Sequence, residues 1–305
     1  MTTTMQFTMG GNHPFENLTP YLGIGETPPE GWRAITAFPL LILVGGSGVG
    51  KSVAIQQLTQ RWHPEALYVL PNRRELTDRL VVAPLQRADG AEVKALGRME
   101  KLAYIRRFRQ LHPPGLAYPF AHLWVDGRLL DGRGLLVFDG LRGEEEVRFA
   151  AAALPQARFA AFDAPVFVRL CRLINRNDAY DSVSGSPARP LLNNGLQNGT
   201  NLCQRLGVPE ACGMFSPDEE EALHGLLASG EVAEKDLRDR LKVLAGEYGL
   251  YDVEAAIRIL NDLAPERTVT IDTVTHNPQQ VGKRLFAFIA LAFKGLLSAP
   301  AQSIT

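Results

Sequence analysis

The run FPLLILVGGSGVGKSVAIQQLTQRW, residues 38–62, decides the fold class of this chain of 305 residues. Its first part, residues 38–44, is apolar throughout and too short for an ordinary helix, the mark of a strand buried on both faces of a parallel sheet. A loop made almost wholly of Gly follows, and from Lys51 onward Val53, Ile55, Leu58 and Trp62 recur among polar residues at near-helical spacing. Strand, glycine loop and helix in that order make a βα unit.

The loop is a complete match to G-x-x-x-x-G-K-[ST], in the context that gives this pattern its meaning. A chance match in a chain this long is on the order of one in a hundred at average composition. Glycines let the backbone wrap so that successive N–H groups and the helix N-terminus face phosphates. Gly45, Gly46, Ser47, Gly48, Val49, Gly50, Lys51 and Ser52 are therefore the expected nucleotide ligands, and ATP with Mg²⁺ the expected cofactors. Lys51 reaches the β- and γ-phosphates, and the Ser52 hydroxyl ligates the metal. With no nucleotide bound, Lys51 is expected to face solvent.

A second carboxylate for the metal belongs at the C-terminal end of a neighbouring apolar strand. Asp139, after GLLVF, is the first choice; Asp163, after ARFAAF, competes with it, and Asp139-Gly140 also reads as an ordinary turn pair. Three residues on, Arg142 either meets an acceptor phosphate or pairs with Glu144 to Glu146. The helix expected over 166–176 carries Arg169, Arg172 and Arg176 at spacings of three and four, on one face. They suit the neutralisation of a phosphoryl-transfer transition state, with Asp178 and Asp181 placed to orient them; a solvated helix face explains the same spacing.

Further strands are expected at 66–70, 134–139, 157–163 and 268–274, and helices at 93–111, 144–154, 166–176 and from Pro278 onward. This alternation predicts a parallel sheet with helices on both faces, an α/β three-layer sandwich. Residues 1–36 show no sustained period and read as an N-terminal arm. Residues 177–215 are dense in Ser, Asn, Gly and Pro, which reads as a mobile loop, and 217–263 as helical after the Ser216-Pro217 start signal. The expected organisation is a nucleotide-binding domain of residues 37–176 and 266–305, interrupted by a lid-like insertion at 177–265.

With 32 basic against 33 acidic residues the formal charge is −1, so no global field holds the chain on nucleic acid or on an anionic membrane. Of the basic residues 25 are Arg, which suits planar contacts to phosphate and equally follows from genomic composition. Cys171, Cys203 and Cys212 are an odd set without C-x-x-C spacing, pointing to reduced thiols and no structural zinc. The first residues lack the pattern of a secretory signal, and the apolar run at 285–297 is too short to span a bilayer and is interrupted by Lys294. A cytoplasmic protein with no membrane partner is the expectation.

The order of these motifs resembles the P-loop kinases of the nucleoside monophosphate kinase-like group. The resemblance rests on the loop at 45–52, the strand ending in Asp139-Gly140-Leu141-Arg142, the strand ending in Asp163-Ala164-Pro165, the Arg-bearing helix and the late TVTIDTVTHNPQQVGKRL segment. It covers residues 37–176 and 266–297. In that group the Arg helix begins the lid. PNRRELTDR, residues 71–79, is distantly similar to the acceptor-binding arginine segment of guanylate kinases, without their Tyr and Gly spacing. The resemblance implies transfer of the γ-phosphoryl group of Mg-ATP to a small acceptor, with nucleotides among the candidates and the acceptor itself unidentified. The rivals are a P-loop ATPase and a regulatory nucleotide-binding module. Asn175-Arg176-Asn177-Asp178 is a near miss to a GTPase base-reading motif, and the RRFR run at 106–109 offers weak support for a nucleic-acid acceptor.

Overall fold

Leu40–Val44 (β4) is the central strand of a five-stranded sheet in the computed structural model, which describes residues 14–62, 67–130, 134–176 and 201–293. Its neighbours are Leu135–Leu141 (β7) and Ala157–Asp163 (β8), with Leu67–Val69 (β5) and Thr268–Asp272 (β9) at the edges; every pairing is parallel, in the order β5-β7-β4-β8-β9. Alternation along β4 explains why it is apolar throughout. Leu40, Ile42 and Val44 join Phe138 and Phe159 on one face, while Leu41 and Leu43 join Val137, Phe162 and Ile271 on the other. The second face is covered by Lys51–Arg61 (α1) through Ala54 and Leu58 and by the C-terminal helix Pro278–Ala292 through Val281, Leu285 and Ile289. The first face is covered by Glu144–Ala153 (α7) and by Val253–Leu263 (α12). An α/β three-layer sandwich results, as the alternation of elements predicts.

Four readings of the sequence change. The N-terminal segment contains Glu16–Thr19 (β1), Leu22–Ile24 (β2) and Trp32–Ala34 (β3), which form an antiparallel sheet with Trp124–Asp126 (β6) in the order β1-β2-β6-β3. Strands of three or four residues are too short to display a period, so composition alone made them look irregular. The charged segment after Asn72 is helical: Arg73–Thr77 (α2), a π-helical turn Asp78–Val82 and Ala83–Ala88 (α3) run on without a break. Asn72 caps them by accepting hydrogen bonds from the N–H groups of Arg74 and Glu75, and Leu76, Leu80, Val81 and Leu85 fill the core.

Of the loop read at 177–215, residues 177–200 lie outside the described residues, and residues 201–215 hold the short helix Leu202–Arg205 (α9) and bury Leu202, Cys203, Leu206 and Val208. These join Val166–Ile174 (α8), Pro217–Ala228 (α10) and Glu234–Tyr248 (α11) in a hydrophobic cluster of their own. Finally, α12 belongs to the sheet, because Ala256 and Leu260 pack against its first face beside α7. Arg98–Leu111 (α4), Ala117–Phe120 (α5) and Gly127–Leu130 (α6) complete the helices that precede β7.

Candidate active site

The loop between β4 and α1 adopts a conformation that its glycines permit. Gly45, Gly48 and Gly50 have φ values of +147°, +78° and +105°, a region disfavoured for residues with a Cβ. Close approach adds a second requirement: a Cβ on Gly46 would collide with the Arg169 guanidinium, and one on Gly48 would lie 2.6 Å from the Arg169 carbonyl oxygen. The loop is thus shaped to receive α8 as well as a ligand.

Lys51 departs from expectation. Its side chain is only 6% exposed and lies folded into the loop, where Nζ donates to the carbonyls of Gly45 at 2.7 Å and Gly46 at 2.9 Å. Burial lowers its pKa to about 8, against the opposing pull of Asp139. Asp139 Oδ1 lies 3.6 Å from Nζ. The turn reading of Asp139-Gly140 gives way here, since both residues are in β7, whose pairing with β4 slips between Leu43–Asp139 and Val44–Leu141. Asp139 lines the cavity above the loop, while Asp163, one strand to the other side of β4, is not among the described lining residues. Ser52, exposed at the start of α1, lines that cavity too.

Three of the four Arg residues singled out in the sequence converge on the loop. Arg169 donates from Nε to the Ser47 carbonyl at 2.8 Å, and its NH2 lies 3.3 Å from Glu247 Oε2. Arg142 pairs through its side chain with Glu247, a partner outside the expected Glu144 to Glu146, while only its backbone N–H donates to Glu146 Oε2, at 2.9 Å. Arg172 donates most closely to the Thr273 hydroxyl at 2.8 Å and the Thr273 carbonyl at 2.7 Å, and reaches the loop carbonyls of Gly48 and Val49 at 3.4 and 3.5 Å. Arg176, exposed at the end of α8, lines the cavity. Asp178 and Asp181 lie outside the described residues.

Glu247, in the last turn of α11, escaped the sequence reading. Its Oε2 accepts the Ser47 backbone N–H at 2.9 Å and its Oε1 accepts the Ser47 hydroxyl. Burial by itself would raise this carboxyl, but the Arg142 and Arg169 guanidiniums and the two Ser47 bonds outweigh it and hold the pKa at about 2. A carboxylate thus sits on the phosphate loop, joined to it across 200 positions of sequence. Nothing local in AGEYGLYD marks this residue, because its partners come from three distant segments.

The cavity measures about 890 Å³, and besides the phosphate loop its wall draws on two groups of residues, each termed a lobe: Arg172, Arg176, Thr273, His276 and Val281 in one, and Asn72, Arg74, Lys101, Ile105, Leu250 and Tyr251, with Asp139 and Arg142, in the other. The second lobe is braced by charge pairs. Arg73 donates to both oxygens of the fully buried Glu146, at 2.6 and 2.9 Å, and to the Tyr251 hydroxyl at 2.8 Å. Burial works against the Arg73 cation, yet Glu146 and Tyr251 more than compensate and raise its pKa. Lys101 meets Asp78 at 2.6 Å.

The RRFR segment serves structure. Phe108 is in the core, Arg107 pairs with Asp89 at 2.7 Å, and Arg109 donates to the Leu250 carbonyl and stacks over Tyr251. Of the arginine segment at 71–79, Arg73 supports the lobe and Arg74 lines it.

A five-stranded parallel sheet carries this loop at the C-terminal end of its central strand, with the Asp-bearing strand adjacent. The fold is that of a P-loop NTPase. No family model matches the sequence, and no curated protein matches it significantly. Among solved structures, shikimate kinase from Acinetobacter baumannii in complex with shikimate is similar at 16% identity, over 84% of this chain and 95% of that one, with a TM-score of 0.33. Strand order and loop geometry carry the fold assignment, and at that score the likeness adds nothing to it. No described helix is long and apolar enough to cross a membrane, and no group of three or more His, Cys, Asp or Glu side chains among the described residues is placed to hold a metal by itself.

Proposed function

We propose that this protein transfers the γ-phosphoryl group of Mg-ATP to a small acceptor, with nucleotides among the candidates. One observation carries the reading: the cavity lined by the phosphate loop is walled as well by residues of α2, α4 and the end of α11, the second lobe. Its total volume falls within the range of small-molecule sites, roughly 300–1,000 Å³. Hydrolysis requires room for one water, whereas this lobe offers polar and apolar walls in Asn72, Arg74, Lys101, Ile105 and Tyr251.

The residues fit a magnesium nucleotide. The Ser47 N–H already donates to an anion in the form of the Glu247 carboxylate, and Arg142 Nε is buried without a hydrogen-bond partner. Ser52 and Asp139 are the groups that would hold the metal. Mg-ATP, when bound, supplies the phosphoryl group; Lys51, Arg142 and Arg169 supply fixed positive charge where oxygens gain negative charge. Partial burial of these cations strengthens that effect.

The test is ADP release from ATP and Mg²⁺ across a panel of nucleosides, nucleotides and small phosphorylated metabolites. A kinase gives release that rises at least tenfold with one class of acceptor. Release that stays constant across the panel overturns the reading in favour of an ATPase. A regulatory nucleotide-binding module is the second reading, favoured by the carboxylate seated on the loop, and predicts tight nucleotide binding with negligible release throughout.

A further inference from the structure

Glu247 holds the donors that a phosphate loop ordinarily keeps for its ligand. Four groups converge on its carboxylate: the Ser47 N–H, the Ser47 hydroxyl, Arg142 and Arg169. The carboxylate lies between the loop and the second lobe, since its own helix supplies Gly246 to the cavity wall and Leu250 and Tyr251 follow directly. It belongs to the last turn of α11, with Tyr248, Gly249 and Leu250 between it and Tyr251, and the N–H groups of Leu250 and Tyr251 bond back to the Glu247 carbonyl at 2.9 and 2.8 Å.

Proton abstraction is a poor use for such a group. A carboxyl held at about 2 by two guanidiniums accepts a proton weakly at neutral pH. Its charge, in contrast, matters directly. Two arginines face one carboxylate, and a terminal phosphate entering beside that carboxylate would place like charges together in a desolvated site.

We propose that Glu247 is an internal competitor for the terminal phosphate: it occupies the Ser47, Arg142 and Arg169 donors until a triphosphate displaces it, so that it sets the preference between ATP and ADP. The inference rests on the nucleotide-binding reading above and names the residue that discriminates between the two nucleotides. Displacement also moves the end of α11, and with it the Leu250 and Tyr251 wall of the second lobe. ADP carries no phosphate that competes with the carboxylate, so the competition opposes ATP binding and leaves ADP binding nearly untouched.

The decisive experiment is calorimetric binding of ATP and of ADP, each with Mg²⁺, to the wild type and to Glu247→Gln. The neutral amide keeps the shape and removes the charge, so ATP is expected to bind about tenfold tighter or more, while ADP changes by less than about threefold. An equal change for both nucleotides, or weaker ATP binding, overturns the competition and leaves the nucleotide reading standing. Binding of neither nucleotide to either protein overturns both. Hydrogen exchange on the wild-type chain provides a readout independent of the variant's folding: ATP should speed amide exchange over residues 244–251 and ADP should not. The same protection with both nucleotides overturns the proposal.

Discussion

Part of the cavity wall comes from seven consecutive residues, 47–53, of the phosphate loop and the start of α1; another part comes from the α2 region, α4, the end of β7 and the end of α11. The first part is shaped by backbone conformation, with three glycines in the left-handed region and a lysine folded onto its own loop. The second is shaped by side chains, through Arg73–Glu146, Lys101–Asp78 and the stacking of Arg73 and Arg109 on Tyr251. A backbone-built site tolerates few changes, whereas a side-chain-built lobe is remodelled one substitution at a time. On the proposed kinase reading, nucleotide chemistry belongs to the backbone-built half and acceptor choice to the other.

The hardest test of that division is Lys51→Ala. Turnover should fall by about 10³-fold, the scale of losing a charged donor at the reacting group. Stability should also fall, by about 1–3 kcal/mol, because the Gly45 and Gly46 carbonyls lose their donor. Thermal melting together with steady-state kinetics measures both, and an unchanged melting temperature would show that the folded-in lysine does no structural work.

Next in size is the metal. Asp139→Asn should lower Mg²⁺-dependent turnover by about 10²-fold while sparing metal-free nucleotide binding, and Asp163→Asn should do neither, since it lies outside the described lining of the cavity. Reversal of the two would move the metal to the other side of β4.

Arg169 and Arg172 sharpen the comparison within one helix. Arg169→Ala should cost about 10²-fold in turnover, because its guanidinium reaches the loop's ligand face. Arg172→Ala should act mainly on stability, by about 1 kcal/mol, because its shortest bonds go to Thr273 and its longer ones to the Gly48 and Val49 carbonyls. Equal kinetic losses from both would mean that Arg172 exchanges Thr273 for substrate during the reaction.

The smallest effect is expected in the second lobe. Tyr251→Phe keeps the ring under Arg73 and Arg109 but removes the hydroxyl that Arg73 bonds. KM for the acceptor should rise about threefold, with ATP affinity unchanged. A matching change in ATP affinity would join the two parts of the wall.

Residues 38–62 were legible because every constraint on them is local: the strand is apolar on both faces, the glycines serve unusual φ values, and the helix shows its period. The same holds for β8 and for α7 and α8, whose ends agree with their sequence signals to within two residues. The short strands of the N-terminal segment and the helices at 73–88 were missed. In the first case three or four residues hold too little pattern, and in the second the charges of RRELTDR masked Leu76, Leu80, Val81 and Leu85.

What the sequence determined by itself, then, is the βα unit with its phosphate loop, the parallel sheet around it and the kind of chemistry such a loop supports. Only the tertiary structure decided which acid stands beside Lys51, that α12 covers the sheet, that Arg172 turns to Thr273, and that a glutamate 200 positions from Ser47 sits on the loop. The division follows from the range of the forces involved. Backbone conformation and periodic burial are written within a few neighbouring residues, while an ion pair forms wherever the packed elements bring opposite charges together, and no local pattern records that meeting.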